Sequence, residues 1–114
     1  KTVTHEEVTA EELGGASTHS TKSGVAHVAS ANEVACLQDL KTLLSYIPQN
    51  CEDEPPRLPY QPADERRPSL NDLIPANPNQ PYDMREAIEG VIDEGSFFEI
   101  HKAFAENIVV GFAR

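Results

Sequence analysis

The sequence predicts an α/β architecture built from two regular stretches separated by a proline-rich interval. Apolar residues recur at helical spacing from Val34 to Ile47, and again from Met84 to Ile92. The run Ile108-Val109-Val110-Gly111-Phe112-Ala113 is uncharged and rich in β-branched residues, the pattern of a strand covered on both faces. Between the two helical patterns lie all nine prolines of the chain, from Pro48 to Pro81.

The elements follow in chain order. Lys1-Thr2-Val3-Thr4 is strand-like. Thr4-His5-Glu6-Glu7 and Thr9-Ala10-Glu11-Glu12 both have the hydroxyl-to-glutamate spacing of a capping box, so two short helical turns are expected. Their glutamates read as first-turn carboxylates facing the positive end of a helix rather than as bases. Gly14-Gly15 ends the second turn, and about two further helical turns fit before Gly24, with His19 and Ser23 on one face. Val25-Ala26-His27-Val28-Ala29 alternates loosely, like a short return strand. Ser30-Ala31-Asn32-Glu33 is a third capping box and opens the clearest helix. Val34, Leu37, Lys41, Leu44 and Ile47 follow one stripe, Cys36, Leu40 and Leu43 widen it, and Pro48 ends it, which predicts a helix packed in a core.

From Pro48 to Pro81 the chain reads as a stiff spacer lying on a neighbouring surface, with Leu70, Leu73 and Ile74 as one helical turn. Within it, a polyproline ligand or an anion held by Arg66-Arg67 are the functional alternatives. Asp83-Met84-Arg85-Glu86 caps the last helix, whose stripe is Met84, Ala87, Ile88, Val91 and Ile92, and Gly95 is its expected stop. Phe97-Phe98-Glu99-Ile100 fits strand or turn.

At 114 residues the chain is one domain at most. It opens on Lys1 without an initiator Met and stops directly after an apolar run, so an internal piece of a longer protein is expected. A net charge of −10, spread along the chain without a basic patch, argues against nucleic acid as a partner. No apolar run approaches the roughly 20 residues that span a bilayer. Two cysteines, Cys36 and Cys51, fit no zinc spacing and read as reduced thiols of a cytoplasmic protein.

The densest chemistry lies in Gly14-Gly15-Ala16-Ser17-Thr18-His19-Ser20-Thr21-Lys22-Ser23-Gly24-Val25-Ala26-His27. His19, Ser23 and His27 invite a nucleophile-and-base role, but no carboxylate lies inside the motif to orient a histidine and no nucleophile elbow surrounds Ser23. His19 and His27 are not spaced as a same-face pair of metal ligands, so histidines bonded to backbone are the plainer role and no metal is expected. His5 and His101 stand alone.

The order Lys1-Thr2-Val3-Thr4, Glu11-Glu12-Leu13-Gly14-Gly15-Ala16, His19, Ser23-Gly24-Val25-Ala26-His27 resembles the carboxyltransferase (beta) subunits of biotin-dependent acyl-CoA carboxylases, propionyl-CoA carboxylases above all. Phe97-Phe98-Glu99-Ile100 and Asn107-Ile108-Val109-Val110-Gly111-Phe112-Ala113-Arg114 resemble the same family at the right distance downstream. His5 departs from it, standing where the family has a small residue. The resemblance implies a partial crotonase-like (ClpP/crotonase) layered α/β fold. Residues 1–48 would end one half-domain, 49–81 connect, and 82–114 begin the next. It further implies transfer of a carboxyl group from carboxybiotin to an acyl-CoA, propionyl-CoA first, giving methylmalonyl-CoA. A decarboxylase or transcarboxylase relative is the near alternative and a non-catalytic interaction module the distant one. In such enzymes main-chain N–H groups stabilise the developing oxyanions. The loops that supply them lie outside this span, so no catalytic residue is implied here and the piece alone is expected to be inactive. Gly14, Gly15, Ala16, His19, Ser23 and Gly24 are the implied substrate-binding residues. Biotin would be carried on a partner, a biotin carboxyl carrier or biotin carboxylase subunit, with none attached to this chain. The whole protein would be a homo-oligomer, away from membranes unless it is a decarboxylase relative.

Overall fold

The structure, a computed structural model, describes residues 7–59 and 69–114. The expectations for Lys1–Thr4, the first capping box, His5 and Arg66-Arg67 lie outside the described residues. Among the described residues, five helices and two strands follow in order: α1 (Ala10–Gly14), α2 (Ala16–Thr21), α3 (Glu33–Leu44), α4 (Ser69–Leu73), α5 (Met84–Val91), β1 (Phe98–Ile100) and β2 (Val110–Phe112). The strands pair in a two-stranded sheet, so the architecture is α/β. The chain divides into two compact units. One takes residues 7–39 with Ile100–Val110, the other residues 40–59 and 69–99 with Gly111–Arg114.

In the first unit, α1 starts as its sequence predicts. Thr9 is the N-cap, its hydroxyl accepting from the Glu12 N–H while the Glu12 carboxylate accepts from the Thr9 N–H at 2.8 Å. Two of the helix's free donors are thereby satisfied. α3 is capped differently from expectation. The Asn32 side chain accepts from the Ala35 N–H at 2.9 Å, while Ser30 instead donates to the Asp39 carboxylate at 2.6 Å. Asn is as good an N-cap as Ser, and a charge-assisted bond to Asp39 takes the serine away.

In the second unit the backbone converges on Tyr46. Its phenol donates to the Ser96 carbonyl, its ring lies 5.9 Å from Phe112 and 6.4 Å from Phe98, and the Arg114 guanidinium sits 4.0 Å over its face. Arg114 also donates to the Ser45 carbonyl at 2.5 Å. The Arg114 N–H donates to the Ser96 hydroxyl at 3.1 Å, and the Arg114 carbonyl accepts from the Asp93 N–H at 2.6 Å. Arg85 of α5 grips Glu99 of β1 with two bonds, Nε to Oε2 at 3.0 Å and Nη2 to Oε1 at 2.6 Å. Leu70 of α4 lies against Gly90 of α5, where any side chain would displace it. At Gly111 a Cβ would stand 2.5 Å from the Phe98 carbonyl oxygen, so only glycine allows this approach of the strands.

Several expectations are corrected. Residues 25–29 form no strand. α3 ends at Leu44, ahead of Pro48, because the Ser45 N–H is shared between the Lys41 and Thr42 carbonyls and tightens the last turn. Its apolar stripe is not core: Val34, Leu37, Leu40 and Leu44 are exposed, Val34 by 76%. No apolar residue among the described ones is buried, so the stripe is not covered as a core would cover it. Gly95, at φ +69, closes the turn between Asp93 and Ser96 rather than α5, which gives way at an extended Ile92. β2 has only three residues and two of them are exposed, and it pairs with β1 alone, where the sequence promised a strand covered on both faces. The helical turn at Leu70–Leu73 and the Asp83 cap, which accepts from Arg85, are as expected.

The cap of α1 has a pH signature. Hydrogen bonds from the Thr9 N–H, then the Thr9 hydroxyl, hold the Glu12 carboxyl below its ordinary value of 4.5. A depressed carboxylate contributes stability above its unfolded value and loses it as pH falls through the folded one. The Thr9 amide resonance should therefore titrate with a midpoint below 4.5, and Glu12→Gln should abolish that step. A midpoint at or above the ordinary value would mean the box is not formed.

Candidate functional site

The segment from Glu11 to His27 forms two short helices that cap one another. Gly15, the residue between them, has no side chain to serve as N-cap, and the Glu11 carboxylate from α1 does so instead, accepting from the Ser17 N–H at 2.8 Å. In return the Thr18 hydroxyl of α2 donates to the Glu11 carbonyl at 2.9 Å and the Glu12 carbonyl at 3.3 Å, orphan acceptors at the end of α1. Any side chain at Gly15 would collide with the Glu11 carboxylate. The glutamates thus act as caps, as their spacing implies.

Two more hydroxyls are consumed in the same way. Ser20, 7% exposed, and Thr21 both donate to the Ser17 carbonyl, at 3.2 and 2.7 Å. Ser23 Oγ also meets backbone, the His19 carbonyl at 3.5 Å and the Val25 N–H at 3.4 Å, and in addition lies 3.0 Å from His19 Nδ1. Their shared face, expected from spacing, holds although Ser23 lies beyond α2, because the Lys22 and Ser23 N–H groups both donate to the Thr18 carbonyl and continue the winding. The other edge of the imidazole lies beside Gly14, with Nε2 3.7 Å from where a Cβ would be. No carboxylate bond to this ring is present among the described residues, so the pair lacks the third member of a nucleophilic triad. The Ser23 Oγ–His19 Nδ1 bond fixes the plane of the ring whichever of the two donates, and leaves Nε2 as its outward nitrogen.

After Ser23 the chain reverses at Gly24, φ +65, and the Ala26 N–H donates back to the His19 carbonyl at 3.1 Å. The Phe104 ring fills the space where a Gly24 Cβ would lie, at 2.8 Å. His27 leaves the turn and meets His101: the His101 N–H donates to the His27 carbonyl at 2.8 Å and the rings stand 4.3 Å apart, tilted by 45°. His101 has φ 57 and Ala105 φ 51, left-handed values that cost a residue with a side chain about 1–3 kcal/mol. His101 Nδ1 is shut from solvent without a hydrogen-bond partner.

Of the six residues singled out, the structure therefore gathers Gly14, His19 and Ser23 into one contact. Gly15 lies against the Glu11 carboxylate and Gly24 against the Phe104 ring, and Ala16 stands at the first turn of α2, exposed. Sequence alone missed His101 and Phe104, which come from far downstream. The sole local hint was Gly24, whose freedom from a side chain had no stated beneficiary. Among the described residues no group of three or more His, Cys, Asp or Glu side chains gathers as a metal site.

A family model, the carboxyl transferase domain, matches residues 1–114. The carboxyltransferase subunit of propionyl-CoA carboxylase from Haloferax mediterranei is 50% identical over all of this chain, and the mitochondrial propionyl-CoA carboxylase beta chain of Homo sapiens 46%. The chain spans 22% of the length of the first and 21% of the second. Among solved structures, transcarboxylase 12S with hydrolysed methylmalonyl-coenzyme A bound superposes with a TM-score of 0.94 at 36% identity, over all of this chain and 23% of that one.

Gly24→Ala is expected to destabilise by roughly 1–2 kcal/mol from the left-handed backbone alone, and more because Phe104 must move. Gly14→Ala, inside ordinary contact distance and in a helix, should be neutral or stabilising. Urea midpoints compare the two, and equal losses at both positions would contradict this geometry.

Proposed function

The chain belongs to the carboxyl transferase domain family, and we propose that it is part of a biotin-dependent acyl-CoA carboxyltransferase that moves a carboxyl group from carboxybiotin to propionyl-CoA, giving methylmalonyl-CoA. The observation that carries this reading is similarity along the whole chain to propionyl-CoA carboxylase subunits. In the transfer the N–C bond of carboxybiotin breaks, a C–C bond forms at the carbon next to the thioester, and the proton lost there ends on the biotin ureido group. Charge develops on the thioester oxygen and on the ureido oxygen, and main-chain donors in loops beyond this span would meet both. The Gly14–Gly24 segment would shape the acyl-CoA or biotin cleft. The Thr18, Ser20, Thr21 and Ser23 hydroxyls are engaged with backbone, so the segment contributes form and one oriented imidazole, His19, rather than a nucleophile.

The fold class we propose is crotonase-like, with residues 1–48 closing one half, 49–81 connecting and 82–114 opening the other. Biotin would arrive on a partner carrier subunit or domain, and the whole subunit would be a homo-oligomer. The likeness to transcarboxylase 12S favours a second reading, in which the carboxyl donor is itself an acyl-CoA. Cys36 and Cys51, both free and exposed, suit a cytoplasmic location.

The complete subunit, assayed with its biotin-bearing partner and ATP against acetyl-, propionyl- and methylcrotonyl-CoA, should carboxylate propionyl-CoA with the highest kcat/KM. Transfer only from methylmalonyl-CoA to another acceptor would select the transcarboxylase reading, and no transfer at all would remove both. Limited proteolysis of the same subunit should cut first between Asn50 and Gln80; first cleavage within Val34–Leu44 would overturn the proposed halves.

A further inference from the structure

Three contacts converge on the exit of the Gly14–His27 segment, and all come from one short stretch downstream. The Phe104 ring occupies the place of a Gly24 side chain, the His101 N–H donates to the His27 carbonyl, and the two imidazoles face each other at 4.3 Å. One residue before His27, the Ala26 N–H closes back on the His19 carbonyl. The backbone of His19 is thus tied to Ala26, and its neighbour His27 to His101. Without the downstream stretch, the loop from Lys22 to Ala26 would be held by bonds internal to itself alone.

This stretch is kept at a cost. His101 and Ala105 both sit in the left-handed region, where a side chain is disfavoured, and glycine occupies neither position. The turns they begin are nevertheless tight: the Phe104 N–H donates to the His101 carbonyl, and the Ile108 N–H to the Ala105 carbonyl, each at 2.9 Å. His101 also leaves its buried Nδ1 without a partner. Its half-buried ring lies beneath the more exposed His27 and beside Phe104, at 5.9 Å. A surface loop with no further role would shed the strain by accepting glycine and the orphan nitrogen by accepting an apolar ring. Backbone strain of this sort, kept by the surrounding contacts, marks places where geometry matters.

We propose that His27 is a positioning residue: seated on the His101–Phe104 turn, it fixes the Gly24 reversal and so the direction in which the Ser23-oriented His19 ring presents Nε2. The proposal rests on the reading that Gly14–Gly24 lines the substrate cleft. It places His27 outside contact with the reacting atoms and His101 beneath it as its support. His27 would then matter through the backbone it anchors and the ring face it offers, with no part in proton transfer.

The test uses the complete subunit with its biotin-bearing partner and two readouts, amide hydrogen exchange at residues 23–27 and the separate kcat and KM for propionyl-CoA. His27→Ala should speed exchange at Val25 and Ala26 by about tenfold or more, leave α5 protection unchanged, and raise KM several-fold with kcat altered less than about twofold. His27→Phe, which keeps a ring to face His101, should restore most of both. His101→Gly relieves the strain and keeps the N–H, so the fold should persist while exchange at Ala26 rises; it carries the test if His27→Ala does not fold. Unchanged exchange in His27→Ala or His101→Gly would overturn the proposal, as would faster exchange with an unmoved KM in an active enzyme. If the wild-type subunit transfers no carboxyl group, the functional reading fails by itself, and exchange at residues 23–27 still decides whether His27 positions the loop.

Discussion

The second unit depends on one aromatic ring. Tyr46 meets Arg114 over its face, Phe98 and Phe112 at its sides and the Ser96 carbonyl through its phenol, so that it touches both strands and the segments that flank them. An arginine over a tyrosine face contributes about 0.5–2 kcal/mol depending on how dry the site is. Here it is also what lets the guanidinium reach the Ser45 carbonyl at 2.5 Å, next to the ring's own residue. Ser96, 8% exposed and bonded both ways to Arg114, is the polar counterpart of a core side chain. Where apolar burial is this slight, a few convergent polar bonds carry an unusual share of the order, because each would leave an unpaired backbone group if broken.

The first unit solves the same problem by reciprocal capping. Helices of five and six residues are far too short to stand on propensity. They persist because each supplies what the other lacks: the Glu11 carboxylate accepts from the first turn of α2, and the Thr18 hydroxyl donates to the last carbonyls of α1. This explains why so many hydroxyls crowd the segment and why so few remain for chemistry. A region whose side chains are spent on its own backbone can offer a substrate shape, exposed main chain and His19, which is the contribution expected of a wall in an enzyme whose charge stabilisation is done by backbone donors.

What could be seen in the sequence was whatever is decided within about four residues. The Thr9–Glu12 box, the Asp83 cap, the Leu70–Leu73 turn and the His19–Ser23 face are all local pairings, and each formed. Ser30 and Asn32 show the limit: both fit a cap, and the tie was broken by Asp39, nine residues away. The core expected along α3 failed for a different reason. A stripe states only that a cover is wanted, and among the described residues no apolar side chain is buried. The pairing of β1 with β2 was hidden because three-residue strands carry too little alternation to announce a register.

His27 and His101 mark the remaining distance between pattern and structure. Seen singly, one was a possible ligand without a partner and the other an isolated residue. Together they form a contact that neither spacing nor composition encodes, since it needs the chain to return after most of its length. Their neighbour Gly24 is the point at which local and distant causes meet. Its left-handed φ is a local requirement that any turn could impose, while its missing side chain makes room for Phe104. A residue fixed for two independent reasons resists change more than either reason suggests, because a substitution that solved the backbone would still strike the ring. The most constrained point of the segment therefore lies at its exit, beside His27, rather than at the paired glycines where the sequence draws the eye.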